Sequence, residues 1–138
     1  MFFALQRLLP EGVRMKVLYI DDSPMLIRMV SIYLRHIPGL ELVPATNAVD
    51  GIEKARREKP DVILLDNEMP GMDGEETLRE LKQNITTSAI PVVIFAQSEE
   101  PWLERKMMET GASAFLTKAR GITKLTSVIT QLGGGRAQ

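Results

Sequence analysis

The stretch VILLDNEMPGMDG (Val62–Gly74) sets four consecutive apolar residues against a carboxylate, Asp66, and follows it with a Met69-Pro70-Gly71 turn. An unbroken Val-Ile-Leu-Leu run suits a strand covered on both faces, as in a parallel sheet sandwiched between helices. Such a strand does not continue through Pro-Gly, so the chain turns away after Asp66 and leaves a carboxylate at the strand's end. A fold built on this stretch has to account for that charge.

Reading outward, KVLYI (Lys16–Ile20) is a second β-prone run, halted by Asp21 and Asp22. Ser23 then has the character of an N-cap and Pro24 that of a first helical residue. In the helix that follows, Met25, Met29, Ile32 and Tyr33 recur at helical spacing, with Arg28, Ser31 and Arg35 on the opposite face. The methionines at this spacing are expected to fill the core. Leu40–Ala45 reads as a strand, and Pro44, which cannot donate to a ladder, places it at a sheet edge. Ala48, Ile52 and Ala55 mark the buried stripe of the next helix, and Asp50, Glu53, Arg56 and Arg57 its outer face. Beyond Gly74, Leu78 and Leu81 anchor a short charged helix. IPVVIFAQ (Ile90–Gln97) is a strand with Pro91 at its first position. Trp102, Leu103 and Met107 open a helix that ends at Gly111, with core packing expected of Trp102. SAFLTK (Ser113–Lys118) is the last strand, and Ile122, Leu125, Ile129 and Leu132 trace the last helix.

Five strands alternating with five helices predict an α/β fold, a flavodoxin-like (βα)5 three-layer sandwich around a parallel five-stranded sheet in the order 2-1-3-4-5. One domain is expected over residues 15–132, with an extension over 1–14 and a flexible tail over 133–138. Met15 stands directly before the first strand, and MFFALQRLLPEGVR upstream of it has no small-residue cleavage site, so a signal peptide is not expected. The chain's 17 basic and 18 acidic residues leave a net charge of −1, which offers no general attraction to nucleic acid or to a membrane surface. It contains no cysteine, which excludes disulfides, thiol catalysis and thiolate-bound metals. No apolar run reaches the roughly 18 residues of a membrane span. A cytoplasmic location is expected.

In this strand order ligands bind beyond the carboxyl ends of the strands, where the order reverses. Asp21 and Asp22 arrive there from the first strand, Asp66 from the third and Lys118 from the fifth. Three converging carboxylates repel one another, and Lys118 neutralises only part of their charge. All-oxygen ligands with open positions suit Mg²⁺, with Mn²⁺ as the alternative. A metal beside a protruding carboxylate is an arrangement for phosphoryl transfer onto Asp66, and the turn after it aims the Glu68 backbone carbonyl at the metal.

With YIDDSP, VILLDNEMPGMDG and GASAFLTK in order, the sequence resembles the receiver domain of two-component response regulators, the CheY-like family. The resemblance spans Met15 to about Leu132. It implies that Asp66 accepts a phosphoryl group from a sensor kinase's phosphohistidine, that Asp22 and Asp66 bind Mg²⁺ directly with Asp21 assisting, and that Lys118 contacts the phosphoryl group. It also implies an aromatic switch at Phe115 and a docking or dimer surface on the fourth helix, fifth strand and fifth helix, where Trp102, Arg105 and Lys106 are candidates. The expected partners are a sensor histidine kinase or phosphotransfer protein and a downstream effector.

Two positions depart from the family pattern. Ala96 stands where a Thr or Ser hydroxyl usually bonds the phosphoryl oxygen, a contact of about 1.5–3 kcal/mol. Ser98, two residues later, lies on the same strand parity, and a loop rearrangement would be needed to bring its hydroxyl in. Ala119 follows Lys118 in place of the usual Pro, so a trans peptide is expected there. Glu68 adds a carboxylate two residues after the acceptor, expected either to pair with Lys118 or to repel incoming phosphate. His36, near the end of the first helix, lacks the helical-bundle context of a phosphohistidine and suits the helix dipole. The leading expectation is a single-domain signalling receiver, not a turnover enzyme. A phosphorylation-independent interaction module, motivated by Ala96, is the alternative. A phosphatase with an aspartate nucleophile is disfavoured, because Glu68 occupies the place of its second Asp.

Overall fold

Val62–Asp66 is buried at every position, as its apolar run demands. It forms β3, the central strand of a five-stranded parallel sheet in a computed structural model that describes Gly12 and residues 14–134. The other strands are β1 (Met15–Ile20), β2 (Leu40–Ala45), β4 (Val92–Ala96) and β5 (Ala114–Thr117), and the order is β2-β1-β3-β4-β5. Pro44 lies opposite Tyr19 on the edge strand β2, where its missing N–H interrupts no interior ladder. The helices α1 (Pro24–Leu34), α2 (Ala48–Glu58), α3 (Gly74–Gln83), α4 (Pro101–Thr110) and α5 (Ile122–Gly133) alternate with the strands. The expectation for residues 1–14 falls almost wholly outside the described residues, as does that for 135–138. Gly133, expected in the tail, instead closes α5.

The period-two alternation of the strands sorts the core into two layers. On one face Leu18, Ile20, Ile63, Leu65, Ile94 and Ala96 pack with residues of α2, α3 and α4. On the other, Val17, Tyr19, Val62, Leu64, Val93 and Phe95 pack with residues of α1 and α5. Caps fix where the helices start. Ser23 Oγ accepts the Leu26 N–H at 3.2 Å, Asn47 Oδ1 accepts the Asp50 N–H at 2.8 Å, and Asp73 and Glu76 form a reciprocal capping box.

The face that α1 buries differs from the expected one. Val30 and Leu34 are fully buried and Ile27 packs beside them, whereas Met25 is 73% and Met29 51% exposed, with Ile32 and Tyr33 also exposed. The reason is that α1 is apolar on most of its circumference. Positions 27, 30 and 34 satisfy helical spacing as well as 25, 29, 32 and 33 do, and the sheet lies against the former. The methionines of α1 are therefore surface residues, not core filler.

Gly74, the first residue of α3, is packed directly against the turn that follows Asp66. Its N–H donates to the Asn67 carbonyl at 2.9 Å, and a Cβ there would lie 2.6 Å from Asn67 Cα and 3.0 Å from the Asp66 carbonyl oxygen. Backbone atoms cannot rotate aside as a side-chain tip does. Gly74→Ala is expected to destabilise the protein by about 1–3 kcal/mol, read as a lowered urea midpoint with an unchanged slope.

Candidate functional site

The site is assembled at the carboxyl ends of β1, β3 and β5. The Asp21 N–H completes the ladder to β2 by donating to the Ala45 carbonyl at 3.0 Å, which fixes its backbone. Its side chain is fully buried. Oδ1 accepts the Ser23 N–H at 2.9 Å, and Oδ2 accepts the Tyr19 hydroxyl at 2.6 Å. Asp22, next in the chain, is exposed. Asp66 is the last residue of β3, paired in register with Phe95 of β4.

Lys118 follows β5. Its N–H donates to the Ala96 carbonyl at 2.7 Å, one step beyond the last strand residue, so the lysine enters the site from a fixed origin. Its Nζ lies 3.0 Å from Asp66 Oδ1 and 3.5 Å from Asp21 Oδ2. Asp66 Oδ1 also accepts the Glu68 N–H at 3.2 Å. Oδ2 of Asp66 has no hydrogen-bond donor among the described residues. One oxygen each of Asp21, Asp22 and Asp66 lies within 4.8 Å of the others.

Three carboxylates and one ammonium leave the cluster short of positive charge. Burial pushes the Asp66 carboxyl up to about 6; the bond from Lys118 works against this, and the Asp21 charge adds to it. An all-oxygen donor set with residual negative charge fits a hard divalent cation. The Glu68 carbonyl accepts no hydrogen bond among the described residues and is free to join such a set. The Glu68 side chain is exposed and, among the described residues, pairs with no cation. Lys118 goes to Asp66 and Asp21 instead, reaching past the end of β4 to the ends of β3 and β1.

At the end of β4, Ala96 is fully buried. Ser98 is not brought into its place, since Ser98 Oγ accepts the Glu100 N–H at 3.2 Å at the start of α4. Thr117 is the register partner of Ala96 across β4 and β5, and its hydroxyl accepts the Arg120 N–H at 3.3 Å. Phe115 is half-buried on the core face that includes Ala96. The Lys118–Ala119 peptide is trans, as expected. His36 is exposed, just past the end of α1.

Trp102 is not packed in the core but 55% exposed. It lines a groove with Lys106, the acceptor turn from Asn67 to Pro70, and Glu75 of α3. Lys106 Nζ pairs with Glu75 Oε1 at 2.9 Å. Trp102 and Lys106, one turn apart on α4, thus face α3 and the acceptor turn. The side of α4 toward β5 and α5 carries Glu104, which shares a second cleft with Phe115 and Lys124. Arg105 is exposed.

Tyr19 is a site residue that the sequence reading missed. It is fully buried, and its ring meets Phe95 edge-on with centroids 6.4 Å apart. Burial and the adjacent Asp21 carboxylate push its phenol upward, so it remains a protonated donor. The available signal was a hydroxyl two residues before a carboxylate, the spacing at which strand side chains share a face.

The sequence model described as the response regulator receiver domain matches residues 17–130. The chain is 37% identical over 108 residues to Protein PilH of Pseudomonas aeruginosa, covering 75% of this chain and 84% of PilH. It is 38% identical over 111 residues to the protein-glutamate methylesterase/protein-glutamine glutaminase of Halalkalibacterium halodurans, covering 78% of this chain but 31% of that one. Among solved structures, the chemotaxis protein CheY4 of Vibrio cholerae superimposes with a TM-score of 0.78 at 26% identity, covering 86% of this chain and 98% of CheY4. The Mn²⁺-bound form of response regulator Rcp1 superimposes with a TM-score of 0.72 at 26% identity, covering 90% of this chain and 95% of Rcp1.

The charge imbalance predicts a pH-dependent stability. The folded-state value for Asp66 lies above the ordinary 3.8, so the fold penalises its ionised form. The Asp66 contribution to wild-type stability should therefore fall as pH rises from 3.8 through about 6. Asp66→Asn, which carries no charge to penalise, should be more stable than wild type by roughly 1–2 kcal/mol at pH 7.5 without divalent cations, allowing for solvent near the site. The gap should close at pH 3.5 and narrow at pH 7.5 when Mg²⁺ is added, as measured by urea denaturation.

Proposed function

Because the chain belongs to the response regulator receiver domain family, we propose that Asp66 accepts a phosphoryl group from the phosphohistidine of a sensor kinase or phosphotransfer protein, and that the product signals by altered protein binding. The observation that carries this reading is the asymmetry of the Asp66 carboxylate. Oδ1 is held by Lys118 and the Glu68 N–H, while Oδ2 is left without a donor, in a carboxylate that has two further carboxylates close by. That is the geometry of a positioned nucleophile.

In the transfer, Asp66 Oδ2 attacks phosphorus in line, a new O–P bond forms, and the P–N bond to the donor imidazole breaks with its electron pair leaving on nitrogen. Lys118 already touches Asp66 and needs little movement to follow the oxygens of the transferred group. Its fixed backbone origin at the Ala96 carbonyl limits the entropy lost in doing so. Bound Mg²⁺, or Mn²⁺ as in the Rcp1 structure, supplies charge neutralisation and orientation to the phosphoryl oxygens. Asp22 and Asp66 would hold it directly together with the Glu68 carbonyl, with Asp21 assisting. No described helix is long and apolar enough to cross a membrane, and this reading requires neither membrane nor nucleic acid.

Signalling requires that the phosphorylated and free forms differ in contacts. Ala96 offers no hydroxyl to the phosphoryl group, so the change toward Phe115 is weaker than a Thr or Ser would drive. The effector or dimer surface is assigned to α4, β5 and α5, whose cleft includes Phe115, Glu104 and Lys124. Trp102 reports on the acceptor turn from the other side of α4. The methylesterase relatives are much longer than this chain, and the activity in their name is not carried over to it. The proposed role is that of a signalling domain and not of a turnover enzyme.

Incubation with Mg²⁺ and acetyl phosphate should add one phosphoryl mass to wild type and none to Asp66→Asn. Trp102 fluorescence should change only in the phosphorylated sample. Phosphorylation without any change in fluorescence, sedimentation or partner affinity would favour the constitutive interaction module instead. The exposed Glu68 carboxylate repels an anionic donor, so Glu68→Asn should accelerate phosphorylation by acetyl phosphate severalfold at low salt, with the advantage shrinking as salt rises.

A further inference from the structure

The fully buried Tyr19 hydroxyl and the Lys118 ammonium address the same oxygen, Asp21 Oδ2, at 2.6 Å and 3.5 Å. The lysine's shorter contact is to Asp66 Oδ1, at 3.0 Å. A carboxylate oxygen cut off from water needs a donor, and these two are the donors within reach of it. The tyrosine's short, charge-assisted bond satisfies that need and releases Lys118 to Asp66. We propose that Tyr19 is a positioning residue that keeps Lys118 on the acceptor side of the site and keeps Asp21 open to a divalent cation. The inference rests on the receiver reading of the site and adds to it a residue, and a division of labour between two donors, that the acidic cluster and Lys118 do not by themselves contain.

Without the hydroxyl, Asp21 Oδ2 has only Lys118 to turn to. The ammonium then moves from Asp66 toward Asp21, where it competes with a cation for the same carboxylate. The ring itself, set edge-on against Phe95, is unaffected by loss of the oxygen. Tyr19→Phe therefore separates the hydrogen bond from the packing.

The test is Mn²⁺ affinity, measured by electron paramagnetic resonance without any phosphodonor, for wild type, Tyr19→Phe, Lys118→Met and the double variant, each checked by thermal melting for an intact fold. Tyr19→Phe is expected to weaken Mn²⁺ binding by about tenfold, the lower end for loss of a hydrogen-bond partner behind a metal site. In the Lys118→Met background, where no ammonium is present to redistribute, the same substitution should weaken it by less than about twofold, the signature of coupled residues. Unchanged affinity in Tyr19→Phe, or equal loss in both backgrounds, would overturn the inference. A wild-type chain that binds no Mn²⁺ would overturn the receiver reading of the site and this inference with it.

Discussion

The repulsion among Asp21, Asp22 and Asp66 is the constraint to which the other features of the site respond. Two of these side chains are almost wholly buried, in a volume where one oxygen of each lies within 4.8 Å of the others. Buried like charges are held together only if cations or donors compensate them. The compensation comes from across the sheet: β5 is separated from β3 by β4, so Lys118 has to reach over the end of the intervening strand. Anchoring its N–H to the Ala96 carbonyl makes that reach reproducible. What remains uncompensated is negative charge that suits a divalent cation.

The rest of the molecule holds strand ends in place. A parallel sheet buried on both faces fixes the heights at which β1, β3 and β5 terminate, and backbone bonds continue that order into the turns beyond. Gly74 seats α3 against the acceptor turn closely enough that a methyl group would collide with backbone. The Asp73 and Glu76 capping box starts the helix at that point. Stability and function meet here, because the same packed turn that begins α3 also aims the Glu68 N–H at Asp66 Oδ1.

Against this rigid frame, the β4 terminus is one of the two places where the chain departs from the family pattern. With Ala at position 96, the hydroxyls nearby in sequence or register are already committed: Ser98 to the start of α4, and Thr117 to the turn after Lys118. Position 96 therefore contributes a methyl group and no hydrogen-bond donor to the end of β4. The two clefts flanking α4 give that helix different neighbours on its two sides, with Trp102 and Lys106 toward the acceptor turn and Glu104 toward β5.

Strand composition, Pro44 and the alternation of elements were enough to read the sheet order from sequence, because burial on both faces leaves a continuous apolar signature and an edge proline has few other places to go. The acidic cluster and Lys118 were legible for a related reason: charges at strand ends in a parallel sheet have one common destination. The buried side of α1 was not legible, since a helix apolar nearly all round satisfies the helical period in more than one rotation, and only docking against the sheet selects Val30 and Leu34. Trp102 could not be assigned for the same reason, its direction being set by how α4 lies on the sheet. Which donors serve Asp21 was likewise a tertiary decision. Tyr19 and Lys118 are about a hundred positions apart in sequence yet reach one carboxylate oxygen, and distances of 2.6 Å and 3.5 Å separate their roles in a way that no spacing along the chain records.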